Sequence, residues 1–84
     1  MPFEQVQIES TGYSTYMCQL ALRLLGYLGA DGKPIDIDGS CGPNTIYAIN
    51  SFQRTMIAYG YDVGTNGQPD GMFGPKCWQL LGVW

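Results

Sequence analysis

Apolar residues recur at helical spacing in two stretches of the chain. The first stripe follows the i, i+3, i+4, i+7 pattern of a helix with one buried face and consists of Cys18, Ala21, Leu22 and Leu25. The second stripe consists of Thr45, Ala48, Ile49, Phe52 and Met56. The spacing predicts helices over residues 14–25 and 43–59, the first with Ser14 as N-cap and each ended by a glycine, Gly26 and Gly60. Further apolar residues predict that the first helix is buried on more than one side: Met17, Leu20 and Leu24.

A six-residue pattern, D-G-x-x-G-P, begins at Asp38 and again 32 residues later at Asp70. In such a segment the Asp side chain accepts hydrogen bonds from backbone N–H groups just ahead of it, and the next residue, Gly39 or Gly71, adopts a positive φ. The Gly-Pro pair then starts a helix, because proline lacks the N–H that would be unpaired at the first helical position. Each copy is therefore predicted to be a structural turn that leads into a helix, and the second predicts a short third helix over residues 75–81.

The remaining segments contain no helical stripe. Phe3, Val6 and Ile8 are spaced as in an extended lead-in, and the segments between the helices have the glycine, proline and asparagine content of loops. A chain of 84 residues fits one domain. We expect an all-α fold, a compact three-helix bundle with two repeated D-G-x-x-G-P loop–helix units, in which residues 1–13 are an N-terminal lead-in and residues 14–84 form the domain.

Charge narrows the range of partners. Only 13% of the residues are charged and the net charge is −3, with four scattered basic residues, Arg23, Lys33, Arg54 and Lys76. Because basic patches supply most of the affinity for nucleic acids and anionic lipids, we expect neither a nucleic-acid partner nor a membrane surface. Residues 1–13 lack the features of a signal peptide, and no apolar run approaches the roughly 18 residues of a membrane span. A surface of tyrosine, asparagine, glutamine, serine and threonine suits hydroxyl-rich or peptidic ligands.

A metal site is not expected. The chain has no histidine, the most frequent metal ligand. The run from Asp36 to Gly39 resembles the middle of an EF-hand loop, but Pro34 and Thr45 stand where that loop needs its first and last carboxylates. We therefore predict that the chain holds no metal and no cofactor.

Catalytic residues are not expected either. Without histidine, a Ser–His or Cys–His nucleophile cannot form. Glycoside hydrolysis needs a carboxylic acid of raised pKa, whereas backbone N–H groups in turns such as those at Asp38 and Asp70 lower a carboxyl pKa. Cys18, Cys41 and Cys77 are interpreted as small buried apolar residues, with one disulfide plus one thiol as the alternative.

Three blocks of the sequence resemble a known family. Residues 12–27 read G-x-x-T-x-x-C-Q-x-x-L-x-x-L-G-Y, residues 38–53 read D-G-x-C-G-P-N-T-x-x-A-I-x-x-F-Q, and residues 70–81 read D-G-M-F-G-P-K-C-W-x-x-L. In this order, the blocks resemble the helical peptidoglycan-binding domain that accompanies amidases, lysozyme-type hydrolases, carboxypeptidases and phage endolysins. The three cysteines fall on positions that the family uses for structure, and Gln19 and Gln53 match its repeated glutamine, for which a buried side chain bonded to backbone carbonyls is the expected role.

The resemblance implies a non-catalytic, monomeric module that binds the glycan strand or stem peptide of peptidoglycan. It would be extracellular or wall-associated and would direct an attached cell-wall hydrolase to its substrate. Tyrosines can stack on a sugar or peptide face while their hydroxyls form hydrogen bonds. The predicted binding groove therefore contains Tyr16, Tyr27, Asn44, Tyr47, Asn50, Ser51, Arg54 and Tyr61. Two alternatives stay open: an interaction or spacer domain without wall binding, and an enzyme in its own right.

Overall fold

Three α-helices form in the part of the chain that the structure describes. The computed structural model describes residues 3–82, in which α1 is Tyr13–Leu24, α2 is Pro43–Ala58 and α3 is Pro75–Leu80. Each end lies within one residue of its predicted position. Between residues 3 and 82 the only β-type pairings are isolated bridges, so the predicted all-α class is confirmed.

The helices start at glycines rather than at side-chain caps. Gly12, Gly42 and Gly74 occupy the N-cap positions, and none of the three helices has a side-chain cap hydrogen bond. Both α2 and α3 begin with proline, as predicted. The prediction that Ser14 caps α1 is wrong, because its Oγ accepts a hydrogen bond from the backbone N–H of Glu4 at 2.8 Å. This bond attaches the lead-in to the start of α1.

The core joins the helices to the loops between them. Its buried apolar residues are Val6, Cys18, Leu22, Ile35, Cys41, Ala48, Ile49, Phe52, Val63, Phe73, Cys77 and Trp78. The ring of Phe73 lies 5.3 Å from that of Phe52 and 4.8 Å from that of Trp78, centroid to centroid. Because α3 has six residues, too few for a helix that is stable in isolation, the burial of Trp78 holds it in place.

Only one face of α1 meets this core. Cys18 and Leu22 have no exposed surface, whereas Leu24 is 79% exposed and Leu25 is 54% exposed. The predictions that Leu25 belongs to the buried stripe and that Leu24 adds a second buried side are therefore wrong. Periodicity identifies an apolar face but not whether another element covers it.

The lead-in binds both D-G-x-x-G-P segments. Val6 and Phe73 exchange two backbone hydrogen bonds of 2.8 and 3.0 Å. Further along, the N–H of Cys41 donates to the carbonyl of Ser10 at 2.8 Å, and the N–H of Gly12 donates to the carbonyl of Gly39 at 2.9 Å. The extended segment therefore fixes the two turns relative to each other. In the described part of the chain no helix is long and apolar enough to cross a membrane.

Candidate functional site

Gln19 holds the turn that begins at Asp38. The Gln19 side chain is fully buried in α1, and its Oε1 accepts hydrogen bonds from the N–H groups of Asp38 and Gly39 at 3.1 and 2.8 Å. Its Nε2 donates to Asp38 Oδ1, to the carbonyl of Ser40 and to Thr45 Oγ1, at 3.1, 2.9 and 3.1 Å. Gly39 has φ 75°, the predicted positive value. The predicted bond to a backbone carbonyl is confirmed, and the glutamine also binds backbone donors.

Gln53 holds the second turn with the same set of bonds. It is fully buried in α2, and its Oε1 accepts from the N–H groups of Asp70 and Gly71 at 3.0 and 3.1 Å. Its Nε2 donates to Asp70 Oδ1 and to the carbonyl of Met72, both at 2.8 Å, and to Cys77 Sγ at 3.9 Å, the counterpart of the bond to Thr45. The turns predicted at Asp38–Gly39 and Asp70–Gly71 are thus each hydrogen-bonded to a buried glutamine.

These bonds keep both aspartates ionised. At Asp38, the backbone N–H of Ser40 and then the Gln19 amide lower the pKa of the carboxyl. At Asp70, partial burial opposes the charge, but hydrogen bonds from the Met72 N–H and from the Gln53 and Thr65 side chains outweigh it and lower the pKa. A carboxyl group of lowered pKa is a poor proton donor, so neither aspartate is suited to general-acid chemistry.

The cysteines are free, buried thiols. Burial raises the pKa of Cys41 to about 11, and it raises the pKa of Cys18 and Cys77 as well, with neighbouring thiols adding to the effect at Cys18. Because the thiolate is the reactive form, these side chains are unsuited to nucleophilic catalysis. No group of three or more Cys, Asp or Glu within residues 3–82 is placed to hold a metal ion.

A polar cleft, here called cleft A, opens beside the first turn. It has a volume of about 290 Å³ and is lined by Gln19 and by residues between positions 31 and 45. Its charged side chains are Asp31, Lys33, Asp36 and Asp38, and its other polar side chains are those of Ser40, Asn44 and Thr45. Of the eight predicted groove residues, Asn44 lies in this cleft. Its Oδ1 also accepts a hydrogen bond from the N–H of Ala30 at 3.0 Å, which fixes the loop that forms one wall.

Five of the predicted groove residues lie on α2. Tyr47, which is 50% exposed, Ser51 and Arg54 follow Asn44 at spacings of three or four residues, so the four side chains share one face of the helix. The Ser51 hydroxyl is already used locally, because it donates to the carbonyl of Tyr47 at 3.1 Å. Asn50, three residues after Tyr47 and four before Arg54, borders this face; it is half-buried and lies beside Gly71 of the second turn.

The remaining predicted tyrosines are separated by the fold. Tyr16 is 43% exposed on α1 and lies against Gly39. Tyr27 is half-buried and packs edge-on against Phe52, with ring centroids 5.8 Å apart, so part of its surface serves the core. Tyr61 is 51% exposed and lines a different cleft, together with Lys76 and Leu80.

Sequence reasoning did not identify Asp31, Lys33, Asp36 or Ser40 as candidate site residues. They come from the loop before α2, and their position on the rim of cleft A depends on the path of that loop. The sequence feature that could have identified them is the presence of these four charged or polar residues between positions 31 and 40, a segment that overlaps the first D-G-x-x-G-P pattern.

A separate groove on the surface is lined by apolar side chains, in contrast to cleft A. It has a volume of about 250 Å³ and is lined by Phe3, Met17, Ala21, Leu24, Leu25, Trp78 and Leu81. The exposed leucines at the end of α1 form one of its sides. A groove without charged side chains suits an apolar partner surface.

Comparison with models of known protein families, with characterised proteins and with solved structures finds no match to this chain.

Proposed function

We propose that this chain is a non-catalytic module that binds peptidoglycan. The observation that carries the proposal is that some polar residues are hydrogen-bonded to one another inside the fold while others are exposed. The aspartates of the two turns and the buried glutamines are occupied with each other, whereas cleft A and the α2 face with Tyr47 offer polar and aromatic groups to solvent. Such a surface fits a polymer of sugars and short peptides. The resemblance of the three sequence blocks to the peptidoglycan-binding family points the same way.

The proposal extends to the context of the chain. Groups that make a few exposed contacts give modest affinity, and a weak binding module acts mainly by raising the local concentration of whatever is attached to it. We propose that the module is monomeric, works outside the cell or at the wall, and directs an attached cell-wall hydrolase to its polymer.

The architecture proposed with it is a three-helix bundle of two repeated loop–helix units. Its support is the matched hydrogen bonding of Gln19 and Gln53 with the aspartates of their respective turns. The ends of α1 and α2 match as well, since the N–H of Tyr27 bonds the carbonyl of Leu22 and the N–H of Tyr61 bonds that of Met56, both at 3.0 Å.

Sedimentation with purified sacculi tests the function. The isolated chain should sediment with sacculi and stay in solution with cellulose, and the supernatant should contain no released muropeptides. A chain that remains soluble with sacculi would overturn wall binding, and release of muropeptides would show an enzyme.

The variant Tyr47→Ala tests whether the α2 face contacts the polymer. Because Tyr47 is 50% exposed on α2, we expect its removal to weaken sacculus binding about three- to tenfold, the range of one aromatic contact, while the free energy of unfolding changes by less than about 0.5 kcal/mol. Tyr59→Ala is the matched control, since Tyr59 is 76% exposed and lies outside the predicted groove. Equal binding by both variants would contradict the assignment of Tyr47.

The apolar groove favours a second candidate function, that of a protein-interaction domain. In that case the variant Leu24→Ser, at the exposed edge of the groove, should abolish binding of an apolar partner protein and leave sedimentation of the chain with sacculi unchanged. If the chain fails to sediment with sacculi, this function becomes the better account of the structure.

A further inference from the structure

The second D-G-x-x-G-P segment lines a cleft of its own, which provides an internal comparison. This cleft B has a volume of about 280 Å³ and is lined by Gln5 and by residues between positions 64 and 77. The Asp, Gly and Pro positions of the pattern line both clefts alike. Three aligned positions differ: Ser40, Asn44 and Thr45 in cleft A correspond to Met72, Lys76 and Cys77 in cleft B. The backbone frame is thus shared, and the difference lies in side-chain chemistry.

Thr45 brings an unused hydrogen-bond donor to cleft A. Its side chain is almost fully buried, 4% exposed, and its Oγ1 accepts a bond from Gln19 Nε2 at 3.1 Å. A hydroxyl group also has one proton to donate, and none of the described residues accepts it. The aligned position in cleft B is the thiol of Cys77, a much weaker donor. A carbonyl or carboxylate oxygen bound in cleft A would satisfy the Thr45 hydroxyl.

The charges of cleft A add a second requirement. Cleft A is lined by three carboxylates, those of Asp31, Asp36 and Asp38, and by one ammonium group, that of Lys33; the Asp38 carboxylate is already bonded to Gln19. In cleft B the one carboxylate, that of Asp70, accepts hydrogen bonds from Gln53, Thr65 and Met72, and the one lysine, Lys76, is paired at 2.6 Å with Asp62 outside the cleft. Asp36 is exposed and makes no hydrogen bond to the described part of the chain, so its charge is available to a ligand. The excess of negative charge favours a cationic group in cleft A.

We propose that cleft A binds a free amino-acid group, an ammonium ion one carbon away from a carbonyl or carboxylate, and that cleft B does not. In peptidoglycan this chemistry occurs at the uncross-linked end of the diaminopimelate side chain of a stem peptide. The inference rests on the proposed function and deepens it, because it names the part of the polymer that is recognised. Cross-linking acylates this amine, so the module would prefer regions of the wall that are sparsely cross-linked.

Nuclear magnetic resonance of the ¹⁵N-labelled chain tests the site. The probe, called the free tripeptide, is L-Ala-γ-D-Glu-meso-diaminopimelate with its N-terminal L-Ala amine acetylated, so that the side-chain amine of diaminopimelate is its only free amine. Its control, called the acetylated tripeptide, is acetylated on that side-chain amine as well. The free tripeptide should shift the amide signals of Lys33, Ser40 and Thr45 and leave those of Met72 and Cys77 in place. The acetylated tripeptide should shift none of them. Equal shifts with both probes, or shifts confined to cleft B, would overturn the proposal.

A pair of charge variants separates this proposal from wall binding in general. Asp36→Asn should weaken binding of the free tripeptide about threefold or more, the range for one partly exposed charge, and Glu4→Gln, which removes a carboxylate outside the cleft, should leave it unchanged. If the wild-type chain sediments with sacculi and the tripeptide does not discriminate between these variants, peptidoglycan binding stands and the role of cleft A is wrong. If the chain does not sediment with sacculi, both are wrong.

Discussion

Gln19 has no exposed surface, yet every polar atom of its amide is hydrogen-bonded. Its cost of burial is offset because the turn supplies two N–H donors to Oε1 and two acceptors to Nε2, and Thr45 of α2 supplies a third acceptor. No side-chain nitrogen or oxygen buried in the described residues lacks a partner. The amide therefore works as a specific connector between α1 and a turn that lies 19 residues away.

Gln19→Met tests this connection at constant length. Methionine fills the space but leaves the N–H groups of Asp38 and Gly39 without their acceptor, and each unpaired group costs about 1–3 kcal/mol when it is kept from water. We expect the free energy of unfolding, measured with urea, to fall by about 2–4 kcal/mol. Gln79→Met on the exposed side of α3 is the control, expected within about 0.5 kcal/mol of the wild type. Equal effects of the two substitutions would contradict the connector role.

Asp70 gives the fold an acid-sensitive contact. Its pKa is lowered in the folded chain, so its contribution to stability is complete above the unfolded value of about 3.9 and is lost as pH falls through the folded value. The difference in free energy of unfolding between the wild type and Asp70→Asn should therefore be constant near neutral pH and shrink below about pH 4. Urea titrations from pH 7 to pH 2 measure it, with the exposed Asp36→Asn as the control for net charge. A difference that grows as the pH falls would show that the pKa is raised.

At the scale of elements, the local signals in the sequence sufficed for the helices. The Gly-Pro pairs at 42–43 and 74–75 and the glycines at 26 and 60 mark the ends within one residue. These signals work because a missing N–H and a positive φ are properties of single residues. The sequence did not predict that Gln19 pairs with Asp38, since that contact depends on where the loop places the turn.

The candidate site was less predictable than the helices. The α2 face with Tyr47 could be read from helical spacing, but the rim of cleft A could not, because Asp31 and Asp36 lie in a loop without periodicity. Burial was also misjudged at Leu24, where an apolar residue on an apolar stripe is left uncovered. In each case the missing information is which element packs next to which.

In the turn before Asp70, position 64 requires glycine for two reasons: its backbone conformation and the lack of space for a side chain. Gly64 has φ 78°, and a β-carbon there would overlap the carbonyl of Gln68. Gly67, in the same turn, has φ 75° but open space around it. Gly67→Ala should therefore cost only the strain of a left-handed residue, about 1–2 kcal/mol, and Gly64→Ala should cost about 1–3 kcal/mol more because the backbone has to move. Thermal unfolding of the two variants measures the difference, and equal costs would show that the turn yields freely.

At the scale of the whole molecule, the core is one continuous cluster that takes residues from every part of the described chain. Val6 of the lead-in, Ile35 and Val63 of the loops, and residues of all three helices belong to it. A core of this kind has no part that can open while the rest stays packed, so we expect unfolding to be cooperative. The three thiols lie within this cluster and serve as natural reporters of its opening.

Thiol labelling measures that cooperativity. Cys18, Cys41 and Cys77 are at most 2% exposed and burial raises the pKa of each, so the folded chain should react with an aromatic disulfide reagent at pH 8 far more slowly than the urea-unfolded chain. If the cluster opens as a unit, mass spectrometry should find all three labelled in step, at a rate that follows the unfolded fraction as urea is raised. Gln19→Met should speed all three equally, because the unfolded fraction rises for the whole chain. Early labelling of Cys77 alone would instead show that α3 detaches before the rest of the core, and the claim of a single cooperative unit would fail.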